Sequence, residues 1–229
     1  MGLCRKVGTS QLLAMRRDVM DISEMIDNLV KPSDWRQMVE SGSQREGFRL
    51  EGSDTDMMYW PNNHRVIWEL SQSRYYNTHR KTLILCDCSD SPPGFSLIYL
   101  LSPSRNGGIQ RACIRMYNRY YISSSIYRQI MCSDYILHGP CASRKVLTVE
   151  FDYAYCLVCD FWPPSASSWI DRCHSWPQHH VVKDILKSGC HFVAVGHKLG
   201  NHEDHEWRIS FSLAERTLVN AMNHCQFLT

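Results

Sequence analysis

Asp54 and Asp56 stand one residue apart, directly before the apolar run Met57-Met58-Tyr59-Trp60. In an extended strand residues two apart share a face, so both carboxylates would point to the same place. Two like charges so held repel unless a cation lies between them, and a hard divalent ion such as Mg²⁺ takes oxygen ligands of this kind. Upstream, Gly42-Ser43 has the composition of a tight turn whose backbone N–H groups and hydroxyl can hold a phosphate. The segment reads as a site for a metal ion and a nucleoside triphosphate. The competing reading is a solvated loop, because Ser, Gly and Asp are common turn residues and paired acids usually lie on the surface. The apolar strand that follows Asp56 at once favours the site.

A second acidic pair, Glu150 and Asp152, lies within Val146 to Val158, the longest run rich in β-branched and aromatic residues. A carboxylate in a central strand is costly to bury alone. An arginine partner or a shared metal ion would relieve it. Asp152 beside Asp54 and Asp56 makes a three-acid cage, and Glu150, on the same face, is the alternative third member. Further on, Glu206-Trp207-Arg208-Ile209-Ser210-Phe211-Ser212 alternates like a strand with one wet face. Arg208, Ser210 and Ser212 then line one side, a cation and two hydroxyls suited to a phosphate or a base edge.

Elements must hold these groups in place. Ser10 to Val30 carries apolar residues at helical spacing, predicting one long helix with an apolar stripe, capped by Ser10 and stopped at Lys31-Pro32. A short helical stretch from Trp35 to Val39 leads into the Gly-Ser turn. Strands are expected at about 54–60, 65–70, 82–86 and 95–101, broken at Pro92-Pro93-Gly94 and Asn106-Gly107-Gly108. Arg119 to Cys132 is an aromatic-rich helix candidate. Trp162-Pro163-Pro164 and Trp176-Pro177 each open a helix, the second over about 178–188, and a strand follows from Cys190 to Gly196. Leu213 to Gln226 reads as a helix with Leu218, Met222 and Cys225 on one stripe.

The 229 residues suffice for one fair-sized domain, and 44% hydrophobic with 21% charged residues is a globular composition. A net charge of +2 is too small to demand a nucleic-acid or membrane partner. No run approaches the roughly 18–20 apolar residues that cross a bilayer, and the N-terminus lacks the apolar stretch of a signal peptide. Eleven cysteines without such a signal are read as reduced thiols in a cytoplasmic protein. Zinc has weak support. Cys156 and Cys159 have knuckle spacing but would diverge on a strand, while Cys86/Cys88, Cys173-His174 and His202/His205 are incomplete sets.

The ordered set Gly42-Ser43, Glu46-Gly47, Ser53-Asp54-Thr55-Asp56, Val149-Glu150-Phe151-Asp152, Trp162-Pro163, Trp169-Ile170-Asp171-Arg172, Trp176-Pro177 and Glu206 to Glu215 resembles one known family. It is the nucleotidyltransferase-fold family of cyclic GMP-AMP synthase, its animal receptor relatives and the male-abnormal (Mab-twenty-one-like) proteins. The resemblance implies an α/β (α+β) lobe with a central mixed β-sheet flanked by helices. Residues 1–33 would form an N-terminal helix packing on the core and 34–229 the catalytic lobe. The family's C-terminal helical lobe would be absent, leaving the apolar face of the last helix for a partner. Active members join ATP and GTP, or related pairs, into a cyclic dinucleotide, a second messenger of innate immunity made when double-stranded RNA or DNA binds. Carried over by position, Asp54, Asp56 and Asp152 would hold Mg²⁺ (or Mn²⁺), with Asp152 preferred over Glu150 for its distance from the Trp-Pro pair. Gly42 and Ser43 would cradle triphosphate, and Arg208, Ser210, Ser212 and Glu215 would meet a nucleotide. The Ser-Arg-Lys stretch after Cys141-Ala142 lacks the glycines expected before the third-acid strand. The alternative is an inactive family member that binds nucleotide or serves as a scaffold.

Overall fold

The computed structural model describes residues 8–30, 36–48, 53–133, 135–146 and 149–228. In chain order the elements are α1 (Ser10–Val30), β1 (Arg36–Ser41), α2 (Gly42–Glu46), β2 (Thr55–Pro61), β3 (His64–Ile67), a 3-10 turn (Leu70–Tyr75), β4 (Thr82–Asp87) and β5 (Phe95–Leu100). Then come α3 (Gly107–Arg111), β6 (Cys113–Met116), β7 (Arg119–Ile122), α4 (Ser124–Met131), β8 (Ile136–His138), β9 (Cys141–Val146) and β10 (Val149–Cys159). A second 3-10 segment (Pro164–Arg172), α5 (His179–Ser188), β11 (Cys190–Val193), β12 (Trp207–Ser210), α6 (Ser212–Ala221) and α7 (His224–Leu228) complete the chain.

One mixed sheet organises these parts, in the order β1-β2-β10-β11-β12-β5-β4-β3, with β6–β7 attached to β5 and β8–β9 attached to β10. Long β10 is its axis. Its first half runs parallel to β2 on one side and antiparallel to β9 on the other, and its second half pairs with β11. The strand's alternation splits the core between the two faces. Leu157 and Cys159 pack with Val66, Ile84, Phe192 and Trp207, whereas Ala154, Cys156 and Val158 pack with Val39, Met58 and Trp60. Cys156 and Cys159 therefore point to opposite sides, as residues three apart on a strand must.

Several boundaries differ from expectation. The stretch read as helix before the Gly-Ser turn is strand β1: it finds a ladder against β2 with Ser41 opposite Asp56, and pairing overrides its local propensity. Trp35 lies outside the described residues. Arg119 to Cys132 divides into β7, paired with β6, and α4, because the Ser123 hydroxyl accepts the Ile126 N–H at 3.3 Å and starts a helix there. The helix beginning at Ser212 breaks at Met222 into α6 and α7. The first Trp-Pro segment forms 3-10 rather than α-helix.

Helix α1 has the predicted bounds, but its cap is Thr9, whose hydroxyl accepts the Leu12 N–H at 3.3 Å. Its apolar stripe is turned away from the lobe: Leu13 is buried, while Met15, Val19, Ile22, Met25, Ile26 and Leu29 are exposed. The face that meets the lobe is the polar row Arg17, Asp21, Glu24 and Asn28, spaced by three and four residues. Asn28 bonds both backbone groups of Met38, and Arg17 Nη2 donates to the Glu46 carbonyl at 2.8 Å. The C-terminal stripe, expected to lie bare, is covered at Leu218 and Met222 and exposed at Cys225. Leu218 packs with Val181 and Ile185 of α5, and Phe227 is buried against Leu13 of α1.

Candidate active site

Parallel pairing of β2 with β10 sets Asp56 directly opposite Asp152, and Asp54 immediately precedes β2. One carboxylate oxygen from each of the three lies within 4.8 Å of the others. Glu150, one pleat repeat away, is exposed opposite Lys145 of β9. Among the described residues no arginine bonds Asp152. Ser143, its register partner on β9, donates instead to Asp152 Oδ1 at 2.5 Å.

Gly42 shapes the other side of this cluster. Its φ of 77° lies in the left-handed region, and a Cβ built there would stand 1.9 Å from Asp56 Oδ2. Only glycine lets the backbone entering α2 come so close to the carboxylate. Gly47 ends α2 after one turn, also left-handed, with its N–H on the Ser43 and Gln44 carbonyls. From below, buried Arg45 ties α2 to α1 through Asp21 and, at 3.7 Å, Glu24. Glu24 also receives Arg216 of α6 at 3.0 Å, so one ionic cluster holds α1, α2 and α6 around the turn.

The acids open into a cleft of about 210 Å³. Glu46, Asp56, Asp152 and Glu215 make its acidic wall, and Arg208, Ser210 and Ser212 stand across it. Strand β12 carries Arg208 and Ser210 because Trp207 is fully buried and its indole N–H donates to the Ile122 carbonyl at 2.7 Å. Ser212 has left the strand to open α6, yet its hydroxyl stays 2.8 Å from that of Ser210. Arg208 is exposed and has no hydrogen bond or ion pair with a described residue. Gly42 lines the cleft, whereas Ser43 is exposed beside it. A larger recess of about 450 Å³ near Leu101 and Tyr120 is mainly apolar and distant from these acids.

Burial first and like charge second set the state of the acidic wall. Burial, then Asp54, Asp152 and Glu46, push the Asp56 carboxyl up from 3.8 to about 6. Burial and Glu215 likewise raise Glu46, against the pull of Arg17. Like charges this close, facing one free arginine, are the donor set of a hard divalent cation. Sequence patterns assigned no site role to Ser143, Glu46 or Ser41, although Glu46 lies in the Glu46-Gly47 motif and Ser143 opens the Ser-Arg-Lys stretch. Ser143 becomes recognisable only once β9 is in register with Asp152.

Residues 109–221 match the family model of the Mab-21 protein nucleotidyltransferase domain. That span is just under half of the chain and is consistent with a member of the Mab-21 family. The matched stretch holds Asp152 and the β12–α6 unit that carries Arg208, Ser210, Ser212 and Glu215. Asp54 and Asp56 lie outside it; the parallel β2–β10 pairing brings Asp56 into the same cleft, with Asp54 within reach of both other acids. The large mixed sheet with flanking helices is the nucleotidyltransferase fold, and the function is of nucleotidyltransferase type, with nucleoside triphosphates as the substrate class. Domains of this kind generally use divalent metals. No described helix of this protein is long and apolar enough to cross a membrane.

Proposed function

We propose that this protein is a metal-dependent nucleotidyltransferase that joins ATP and GTP, or a related pair, into a cyclic dinucleotide, with double-stranded RNA or DNA as activator. One observation carries the reading: three carboxylates, Asp54 and Asp56 from the start of β2 and Asp152 from β10, converge within 4.8 Å beside a cleft that is also lined by one arginine and two serines. Asp54, Asp56 and Asp152 would hold Mg²⁺ or Mn²⁺. Bound there, divalent ions supply positive charge to the triphosphate and to the attacking hydroxyl of an in-line displacement.

The chain's own residues account for binding and orientation. Gly42 brings α2 against Asp56, so a triphosphate tail in the cleft meets the backbone at Gly42 and Ser43. Ser143 engages Oδ1 of Asp152, a residue that lines the cleft. Arg208 presents its guanidinium to phosphate oxygens. The Ser210–Ser212 hydroxyl pair keeps lone pairs for a ribose or base edge, and Glu215 can accept from a base amino group. The cyclic product and the nucleic-acid activator rest on the family resemblance.

The test incubates the protein with ATP, GTP and Mg²⁺ or Mn²⁺, with and without double-stranded RNA and DNA, and seeks dinucleotide by mass spectrometry. Product that disappears in Asp152→Asn supports the proposal. Triphosphate binding with no product under any activator replaces it with a nucleotide-binding scaffold.

A further inference from the structure

Away from the cleft, at the end of β4, two thiols lie in contact. Cys86 Sγ is 3.5 Å from Cys88 Sγ, and the Ser96 hydroxyl of β5 is 2.8 Å from Cys86 Sγ. Cys86 is half-buried and Cys88 is exposed. The β4–β5 ladder reaches Asp87 and stops, so Cys86 is anchored opposite Ile98 while Cys88 sits just past the last paired residue. This asymmetry gives one sulfur access to solvent and holds the other as its neighbour. Hydrogen bonding to Cys86 and Ser96 brings the Cys88 thiol down to about 7 against the effect of burial. Hydrogen bonding to Cys88, with burial, keeps Cys86 protonated well above the usual thiol range.

We propose that Cys86 and Cys88 form a redox-active dithiol that closes to a disulfide by exchange with a small-molecule disulfide of the oxidised-glutathione class. The Cys88 thiolate attacks one sulfur of the reagent, forming a mixed disulfide and releasing one reduced thiolate. Cys86, deprotonated as it reacts, attacks Cys88 Sγ, forms the internal bond and releases the second reduced thiol. Two protein thiols are oxidised, one reagent disulfide is reduced to two thiols, and the Cys86 proton leaves with the second. Closure needs the sulfurs to move from 3.5 Å to about 2.0 Å. Cys88, outside the ladder, can make that movement without breaking a strand pairing. A metal thiolate centre is less well supported: no Cys/His group among the described residues brings three ligand atoms within 4.8 Å of one another. The remaining thiols differ in access, Cys132, Cys156, Cys159 and Cys190 being buried and Cys225 exposed.

The experiment equilibrates the full chain in reduced and oxidised glutathione, quenches with acid, alkylates free thiols and reads the peptide containing both cysteines by mass spectrometry. The wild-type peptide is expected to lose two hydrogens and to resist alkylation until a reductant is added. C86S should accumulate one glutathione on Cys88, and C88S should leave Cys86 unmodified. In reduced protein Cys88 should alkylate about tenfold faster than Cys225. Stable glutathione on wild-type Cys88 without an internal bond overturns the proposal, as does full alkylation of both thiols in oxidising buffer. The wild-type measurement decides even if a variant fails to fold.

Discussion

Asp56→Asn separates the charge needed for a metal from the stability of the fold. Asp56 has no hydrogen-bond partner among the described residues and faces Asp54, Asp152 and Glu46. Its carboxyl is pushed from 3.8 to about 6, so its charge opposes folding. A shift of that size corresponds to roughly 3 kcal/mol, and halving it for solvent screening of a half-buried group leaves about 1.5 kcal/mol. The sign follows from the raised folded value: the penalty is absent below pH 3.8, grows as pH rises and is complete above about 6. At pH 7.5 without divalent ions, the isosteric amide should raise Tm by about 3–6 °C for a chain of this size. Millimolar Mg²⁺ or Mn²⁺ should then stabilise the wild type but shift the variant far less, because ion binding to the native state alone raises stability. Differential scanning fluorimetry with and without metal reads both effects. A less stable apo variant that keeps the full metal shift would refute the reasoning, placing the ion elsewhere and giving Asp56 a structural partner.

Three further substitutions probe the frame around the acids. Gly42→Ala should cost roughly 1–2 kcal/mol for its left-handed backbone, and displacing the Asp56 carboxylate by an ångström should lower turnover about a hundredfold; wild-type turnover would contradict it. Arg45→Met removes a buried cation shared by Asp21 and Glu24, and urea unfolding should show a loss of about 2–3 kcal/mol. That is less than a sealed ion pair would lose, since Asp21 reaches water and Glu24 keeps Arg216. His191 is buried against Trp60 with neither ring nitrogen hydrogen-bonded to a described residue, and burial lowers its pKa from 6.5 to about 4. With the folded value depressed, its contribution is full above pH 6.5 and falls by roughly 2 kcal/mol by pH 5. His191→Phe should flatten the stability profile between those pH values; an unchanged slope would show that His191 is not the titrating group.

Local chemistry was legible where a residue's type dictates its conformation or charge. The run Ser10 to Val30 has helical periodicity throughout, and it forms one helix with those bounds. Alternation in a β-rich run predicts that Cys156 and Cys159 diverge, and they do. The three acids could be named because an isolated carboxylate in a strand demands an explanation wherever the strand lies. Pairing was not legible. Arg36 to Ser41 has no strong strand signal of its own and is a strand because β2 offers it a ladder. The wet face of Trp207 to Ser212 was readable as a pattern, but whether Ser212 belongs to strand or helix depended on where α6 could begin.

What the sequence determined alone is therefore the inventory: a long amphipathic helix, a carboxylate pair before an apolar strand, a third acid inside another, and a glycine ahead of them. Tertiary structure decided how they meet. Only the parallel register of β2 and β10 sets Asp56 opposite Asp152, and only β9 supplies Ser143 to hold it. Likewise, the sequence marks an apolar stripe on α1, but the fold presents the opposite, polar face to the lobe because Asp21 and Glu24 must neutralise buried Arg45 beneath the turn. Periodicity acts along a chain through its own dihedral angles. Register and facing are settled between segments distant in sequence, where burial and charge are summed over the whole fold.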